Sequence, residues 1–209
     1  MNKVALRPTL WRTARALANE NRLRLVREVW RAKGSLSVTE LARRLGLAIP
    51  TASQYLRALN ARGLLSVGRN GSFVYYSDGR DRSLPEAQVI QDALSELFAR
   101  KKLHDGWELR LVAVLHAYSH FRRIDIVKCL AKGGGMGFHD ILRTTRIPKA
   151  SLVRHLCVLK EGGVVSIGTD SVYALSEPRD PLAVALCSLV LESAGVSVPH
   201  FAKTGTVVS

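Results

Sequence analysis

Acidic residues are scarce in this chain of 209 residues: 17 Asp and Glu face 31 Lys and Arg, leaving a formal net charge of +14. Such a deficit points to a polyanionic partner, either nucleic acid or an acidic membrane surface. Cysteine is scarcer still. Cys129, Cys157 and Cys187 are too few and too scattered for a disulfide scaffold, and their helical, apolar surroundings read as buried, reduced thiols. Long apolar runs are missing as well. Met1 to Trp11 has no uninterrupted apolar core of signal-peptide length. The greasiest stretch, Leu182 to Leu191, falls well short of the ~20 residues that cross a bilayer. A cytoplasmic protein without membrane association is expected.

Catalytic and cofactor signatures are also lacking. Gly133-Gly134-Gly135-Met136-Gly137 has no Gly-Lys-Ser/Thr ending and follows a helix where a nucleotide loop follows a strand, so it reads as a connection between helices, matching Lys33-Gly34. His155 and Cys157 lie two apart on a helix and diverge, and no Ser/His/Asp or Cys/His nucleophilic set assembles. His116 and His120 have metal-binding spacing on a single helix, with His104-Asp105 close by, but His120 falls where a helix cap is expected. No enzyme, no cofactor and no metal site is expected.

What is present centres on residues 41 to 76. Leu41, Leu45 and Leu47 form an apolar stripe broken by Gly46, placed where a tight turn between helices needs a left-handed residue. A helix from Pro50 to Arg62 follows, with Ala52, Leu56 and Leu59 on one side and Thr51, Gln54, Arg57 and Ala61 on the other, and Gly63 ends it. Leu64, Leu65 and Val67 lead into the turn-rich tip Gly68 to Ser72, and Phe73-Val74-Tyr75-Tyr76 returns as a second β-rich run. Helix, turn, helix and hairpin make a winged helix-turn-helix. Its outward side chains suit a DNA groove: Gln54 can pair with adenine, and Arg57 or Arg69 with guanine or phosphate. The plainer reading of such a helix is a solvated amphipathic face.

Upstream, a helix from about Pro8 to Ala18 is expected. Asn19 caps the next, which buries Leu23, Val26, Val29 and Trp30 and exposes Arg22, Arg24, Arg27 and Arg31. Leu36 to Val38 forms a short strand, and Thr39 caps the first helix of the motif. Downstream, Ser77 to Ser83 reads as a loop, and Pro85 to about Lys102 as a long helix with Val89, Ile90, Ala93, Leu94, Leu97 and Phe98 on its apolar face.

Ala16 to Val26, Glu40-Leu41-Ala42, Leu45-Gly46-Leu47, Tyr55 to Leu59, Gly63-Leu64-Leu65 and Val74-Tyr75-Tyr76 together resemble the ArsR-type (arsenic-repressor-like) winged-helix regulators, over most of residues 10 to 100. The resemblance implies a dimeric transcriptional repressor whose helix before the wing enters the major groove and whose helix after it dimerises. Many members carry a metal-sensing Cys-x-Cys in the helix corresponding to residues 37–45. Ser37-Val38-Thr39-Glu40 replaces it here.

The pattern then recurs. Shifted by one hundred residues, Tyr55-Leu56, Leu59, Gly63, Ser66 and Gly68 fall on His155-Leu156, Leu159, Gly163, Ser166 and Gly168. With a shift of one hundred and one, Ala16 to Val26 lies over Ala117 to Val127, placing Arg22 on Arg123 and Asn19 on His120. The second copy is expected to have helices near 107–117, 120–131, 138–145 and 149–161, a hairpin of 164–167 and 171–175, and a last helix at 181–193. The fold expected is mostly α with small β-hairpin wings: two tandem winged helix-turn-helix domains, 1–102 and 107–195, packed through their terminal helices, with a linker at 103–106 and a tail at 196–209.

The copies differ in charge. Residues 1–80 hold fifteen Lys and Arg against four Asp and Glu, or +11, whereas residues 81–209 hold sixteen against thirteen, or +3. The second reading helix, Pro148 to Gly162, also shows Cys157, Val158 and Glu161 outward, and its wing tip is Thr169-Asp170-Ser171 in place of Arg69-Asn70-Gly71. The first copy is thus the main reader of double-stranded DNA. Candidate contacts are Pro50, Thr51, Ser53, Gln54, Tyr55, Arg57, Arg69 and Asn70, joined by Lys149, Ser151, Arg154 and His155 from the second. An intramolecular pseudo-dimer is favoured over a homodimer, and no effector ligand is identified. A protein–protein adaptor and a non-specific nucleic-acid binder are the rival functions.

Overall fold

The computed structural model describes residues 9–32, 34–79, 85–99 and 105–197. Several expectations fall outside them: a helix start at Pro8, Lys33, the loop residues 80–83, the helix end at Lys102, linker residues 103 and 104, and the tail beyond 197.

The first half runs α1 (Thr9–Leu17), α2 (Glu20–Arg31), β1 (Leu36–Ser37), α3 (Val38–Leu45), α4 (Ile49–Asn60), β2 (Ser66–Asn70), β3 (Phe73–Ser77) and α5 (Pro85–Ala99). The same order follows in α6 (Trp107–Tyr118), α7 (Phe121–Gly133), β4 (Met136–Gly137), α8 (Phe138–Thr145), α9 (Lys149–Glu161), β5 (Val165–Ile167), β6 (Val172–Leu175) and α10 (Pro181–Ser193). Each sheet is a small antiparallel one with the returning strand in the centre, ordered β1-β3-β2 and β4-β6-β5. Leu36 pairs with Tyr76 and Met136 with Tyr173, so the two-residue strand just before each first motif helix is tied to the hairpin.

Local chemistry fixes the helix ends. Asn19 caps α2 by accepting the Arg22 N–H at 3.1 Å. Ser37, not Thr39, caps α3: its Oγ accepts the Glu40 N–H at 3.2 Å, while Thr39 lies inside the helix. Pairing of Leu36 with the hairpin ends the extended backbone at Ser37, so the helix begins one residue later, and the expected strand residue Val38 is already helical. Gly46 closes α3 in the left-handed conformation at φ +63°. The reading helix α4 begins at Ile49, one residue before the expected start, and ends at Asn60 rather than Arg62. Ser77, expected in the loop, completes β3 instead. In the second half α7 starts at Phe121 and runs to Gly133, and the hairpin strands begin at Val165 and Val172.

Leu23, Leu25, Val26, Leu41, Leu56, Leu59 and Leu64 form the first core beneath α4, and Ile124, Ile126, Val127, Ile141, Leu152, Leu156 and Leu159 its counterpart. Between them, α5 lies against α10 and α1 against α6. Trp30, Phe98 and Trp107 make an aromatic series, the first pair tilted at 5.8 Å between centroids and the second edge-on at 5.4 Å, and Arg27 stacks on Trp107 at 5.1 Å. The Arg24 Nε donates to Glu108 at 2.8 Å. No side chain from Pro181 to Leu191 is fully exposed, which accounts for the all-round apolar character of α10. On α5, Val89 is exposed rather than part of the apolar face, while Gln91 is buried and donates to the Gly63 carbonyl at 2.8 Å. No helix among the described residues is long and apolar enough to cross a membrane.

Candidate nucleic acid interface

The outer face of α4 is built by exclusion. Ala52, Leu56 and Leu59 are fully buried, so the helix turns Gln54 and Arg57 to solvent, with Pro50 exposed at its first turn and Thr51 and Ser53 half-buried beside them. The Arg57 Nε donates to the Ser53 carbonyl at 3.3 Å, which holds the guanidinium along the helix surface. Its charge acts on Tyr76 of β3, whose hydroxyl is nonetheless pushed to a higher pKa, chiefly by burial. Arg57 therefore stands at the end of α4 nearest the hairpin. At the hairpin tip Arg69 and Asn70 are exposed and pair in register with Val74 and Phe73, and Gly71 turns the chain at φ +58°.

Tyr55, expected to face the groove, is half-buried, and the Arg22 guanidinium lies over its ring at 5.5 Å from the centroid. Position 55 falls at the edge of the buried arc, where the neighbouring α2 captures the ring. His155 takes the same place in the second half: it is half-buried against His120, ring centroids 4.8 Å apart. Burial first, then the charges of His120, Arg123, Arg122 and Arg154, depress the His155 pKa to about 4.

Lys149, Val153, Arg154, Cys157 and Glu161 of α9 are exposed, as are Ala150 and Lys160, while Ser151 and Val158 are half-buried. Cys157 is thus not the buried thiol expected. Cys129 is half-buried, and only Cys187 meets the expectation fully. At the second hairpin tip Thr169, Asp170 and Ser171 are exposed, and Ser171 takes φ +58° where the first hairpin has Gly71.

The arginines of α2 do not form one solvated face. Arg24 and Arg31 are exposed, but Arg22 and Arg27 are half-buried on aromatic rings, and burial lowers the pKa of both. The sequence flagged Arg123 only as the counterpart of Arg22. The structure buries it as a clamp on the end of α6: Nε donates to Ala117 O at 3.0 Å, and Nη2 donates to His116 O at 2.6 Å and to Ser119 Oγ at 2.9 Å. His120 caps α7 through Nδ1, which accepts the Arg122 N–H at 3.1 Å, whereas His116 is exposed on α6. Among the described residues no three His, Cys, Asp or Glu side chains stand close enough to share a metal ion.

Residues 17–68 match the model of a family described as a helix-turn-helix domain. The first half contains a helix-turn-helix. That match spans the end of α1, all of α2, α3 and α4, and the start of β2 as far as Gly68, so the exposed groups of α4 lie within it. Reduced HlyU from Vibrio cholerae N16961 is 29% identical over 41% of this chain and 84% of its own, with a TM-score of 0.34, too low to relate the two folds as wholes. No curated protein sequence matches the chain.

Proposed function

We propose that this protein is a sequence-specific, DNA-binding transcriptional regulator of ArsR-like type that acts in the cytoplasm as a repressor, by occluding a promoter. It has no catalytic activity of its own and needs no cofactor. The observation that carries this reading is the coincidence of three properties in one place. The matched helix-turn-helix, the solvent-facing Gln54 and Arg57 of its second helix, and the exposed Arg69 and Asn70 of the adjoining hairpin all lie in the half with a charge of +11. A helix with polar groups outward and cations beside it meets the requirements of a major-groove reader, with bidentate pairing to base edges and neutralisation of phosphate.

The two halves act as tandem winged helices joined in an intramolecular pseudo-dimer. Supporting this are the repeated element order, the packing of α5 on α10 and α1 on α6, and the Arg24–Glu108 ion pair. One chain then presents two unlike reading helices and binds an asymmetric site.

Selection of bound sequences from a random duplex library, followed by light scattering of the complex on the selected site, tests both claims. One chain on an asymmetric consensus is the expected result. Binding with no consensus and equal affinity for random duplex would replace the reading with a non-specific nucleic-acid binder. A two-chain particle on a palindrome would overturn the pseudo-dimer, and no retention of duplex at low salt would leave the adaptor reading.

A further inference from the structure

A row of groups from both halves flanks α4 and α9, joined by ring contacts at Tyr55 and His155 and by the charge of Arg15. Tyr55 of α4 carries the Arg22 guanidinium on its ring; Arg22 Nη2 donates to the Arg15 carbonyl at 3.3 Å; the Arg15 charge acts on both Arg22 and His120; and the His120 ring meets His155 of α9 at 4.8 Å. Phe121, 51% exposed, stacks on His120 at 4.8 Å, and the Arg122 guanidinium lies over the Phe121 ring at 5.8 Å from the centroid.

Positive charge on this row is left uncompensated. His120 and His155 are acted on by Arg15 from α1, Arg122 and Arg123 from α7 and Arg154 from α9, while Asp125 of α7 is the one carboxylate among the described groups that act on them. Asp125 is exposed, and partial desolvation pushes its carboxyl pKa up while Lys128 and His120 pull it down. The buried Arg22 Nε has no hydrogen-bond partner. Burial and the surrounding arginines hold both imidazoles below their ordinary pKa, so in the free protein at neutral pH they are uncharged.

We propose that this row is a proton-coupled phosphate contact: a DNA backbone phosphate lying between the two reading helices is held by Arg15 and Arg122, and the His120–His155 pair takes up one proton as it binds. The inference rests on the DNA-binding reading. A phosphate set among these groups supplies the anion that the arginines lack and offsets the repulsion that keeps the imidazoles neutral. The bound form therefore holds a proton that the free form does not, and affinity rises as pH falls. For one proton the rise is at most about tenfold per pH unit, within the interval between the free and bound pKa values.

The second half can be given the first half's residues at the two positions. His120→Asn keeps the cap, as Asn19 does in α2, and His155→Tyr restores the ring found at Tyr55. Binding of the selected duplex would be followed by fluorescence anisotropy at constant ionic strength between about pH 8 and about pH 5.5, the range in which histidine changes charge. The wild-type chain is expected to gain roughly three- to thirtyfold in affinity over that range relative to the double variant. Calorimetry of the wild-type chain in buffers of different ionisation enthalpy should register net proton uptake on binding. Arg15→Gln, on an exposed position, should weaken binding and shorten the salt dependence by about one phosphate. Equal pH profiles for the two proteins, or wild-type binding with no proton uptake, overturns the coupled contact and leaves the DNA reading intact. A wild-type chain that retains no duplex at either pH overturns both.

Discussion

Arg123 and Arg22 occupy equivalent places in the two halves, yet the structure assigns them different stabilising roles. Arg123→Met keeps most of the aliphatic stem and removes the guanidinium, deleting its bonds to Ala117 O, His116 O and Ser119 Oγ. Each bond from a charged donor contributes about 1.5–3 kcal/mol, but three made by one group do not add in full. His116 O keeps a second donor, the Ser119 hydroxyl at 3.0 Å, while Ala117 O loses its side-chain partner at a packed helix end. Burying the guanidinium, which lowers its pKa, is a cost that the variant recovers in part. A net loss of about 3 kcal/mol follows for Arg123→Met.

Arg22→Met removes far less: one long bond to Arg15 O at 3.3 Å, an Nε that had no partner, and a cation–π contact with Tyr55. That amounts to about 1 kcal/mol. In a chain of this size each kcal/mol moves the melting temperature by roughly 2–4 °C, so Arg123→Met should melt about 6–12 °C lower and Arg22→Met about 2–4 °C lower. Urea unfolding followed by circular dichroism, with unchanged m-values, would measure the difference directly. Equal losses for the two variants, or a larger one for Arg22→Met, would refute the account of Arg123 as the clamp on α6.

Further outcomes follow from the same geometry. Arg57→Ala with Arg69→Ala should weaken DNA binding and flatten its salt slope by about one unit per lost phosphate contact, more than Lys149→Ala with Arg154→Ala, as filter binding would show. Acid should destabilise the fold through His155. Between its folded pKa of about 4 and its ordinary value the unfolded chain binds the extra proton, so stability present above pH ~6.5 is lost as pH falls toward 4. His155→Tyr should reduce that slope in melting curves, leaving the smaller part due to His120, whose pKa is also lowered by burial. Arg146, at φ +53° where the first half has Gly46, should tolerate Arg146→Gly with a gain of about 0.5–1 kcal/mol in chemical unfolding. Gly162→Ala should instead cost about 1–3 kcal/mol by the same measurement, since the added Cβ would lie 2.7 Å from Ala117 Cβ and 2.9 Å from the Ala113 carbonyl oxygen.

Periodicity made the elements legible because burial in this chain is one-sided. Leu56 and Leu59 on α4 and Leu156 and Leu159 on α9 recur at the helical spacing, and the register between the copies follows from them. Gly46 marked its turn because a left-handed residue there excludes most side chains at little cost only for glycine. The same turn in the second half holds Arg146, which no composition rule would place there; the repeat alignment was the one signal for it. What periodicity could not supply was the neighbour. Tyr55 and His155 sit at the border of the buried arc, and whether they face out depends on Arg22 and His120 of another helix. Ser37 and Thr39 are chemically near-equivalent caps, and the choice between them is made by pairing of Leu36 with Tyr76, a contact forty residues distant along the chain. Gln91 is buried only because the Gly63 carbonyl lies beneath α5.

Where the two halves agree and where they diverge separates scaffold from contact. Positions that fill the cores match at hundred-residue spacing: Ala52 and Leu152 are both buried, as are Leu56 and Leu156, and Leu59 and Leu159. Outward positions do not: Ser53 stands against Val153, Gln54 against Arg154, Arg57 against Cys157 and Asn70 against Asp170. An amide suits adenine, a guanidinium suits guanine, and an exposed aliphatic group suits a thymine methyl, so a DNA-bound α9 face would select different base edges from the α4 face. Asp170 at the second tip would repel the backbone that Arg69 and Asn70 attract at the first. On the proposed reading, phosphate attraction is strongest at the first half and base selection is divided between the two. Exchanging Gln54 and Arg154 should then exchange base preferences between the two ends of the bound site while leaving the cores, and hence the stability, unchanged.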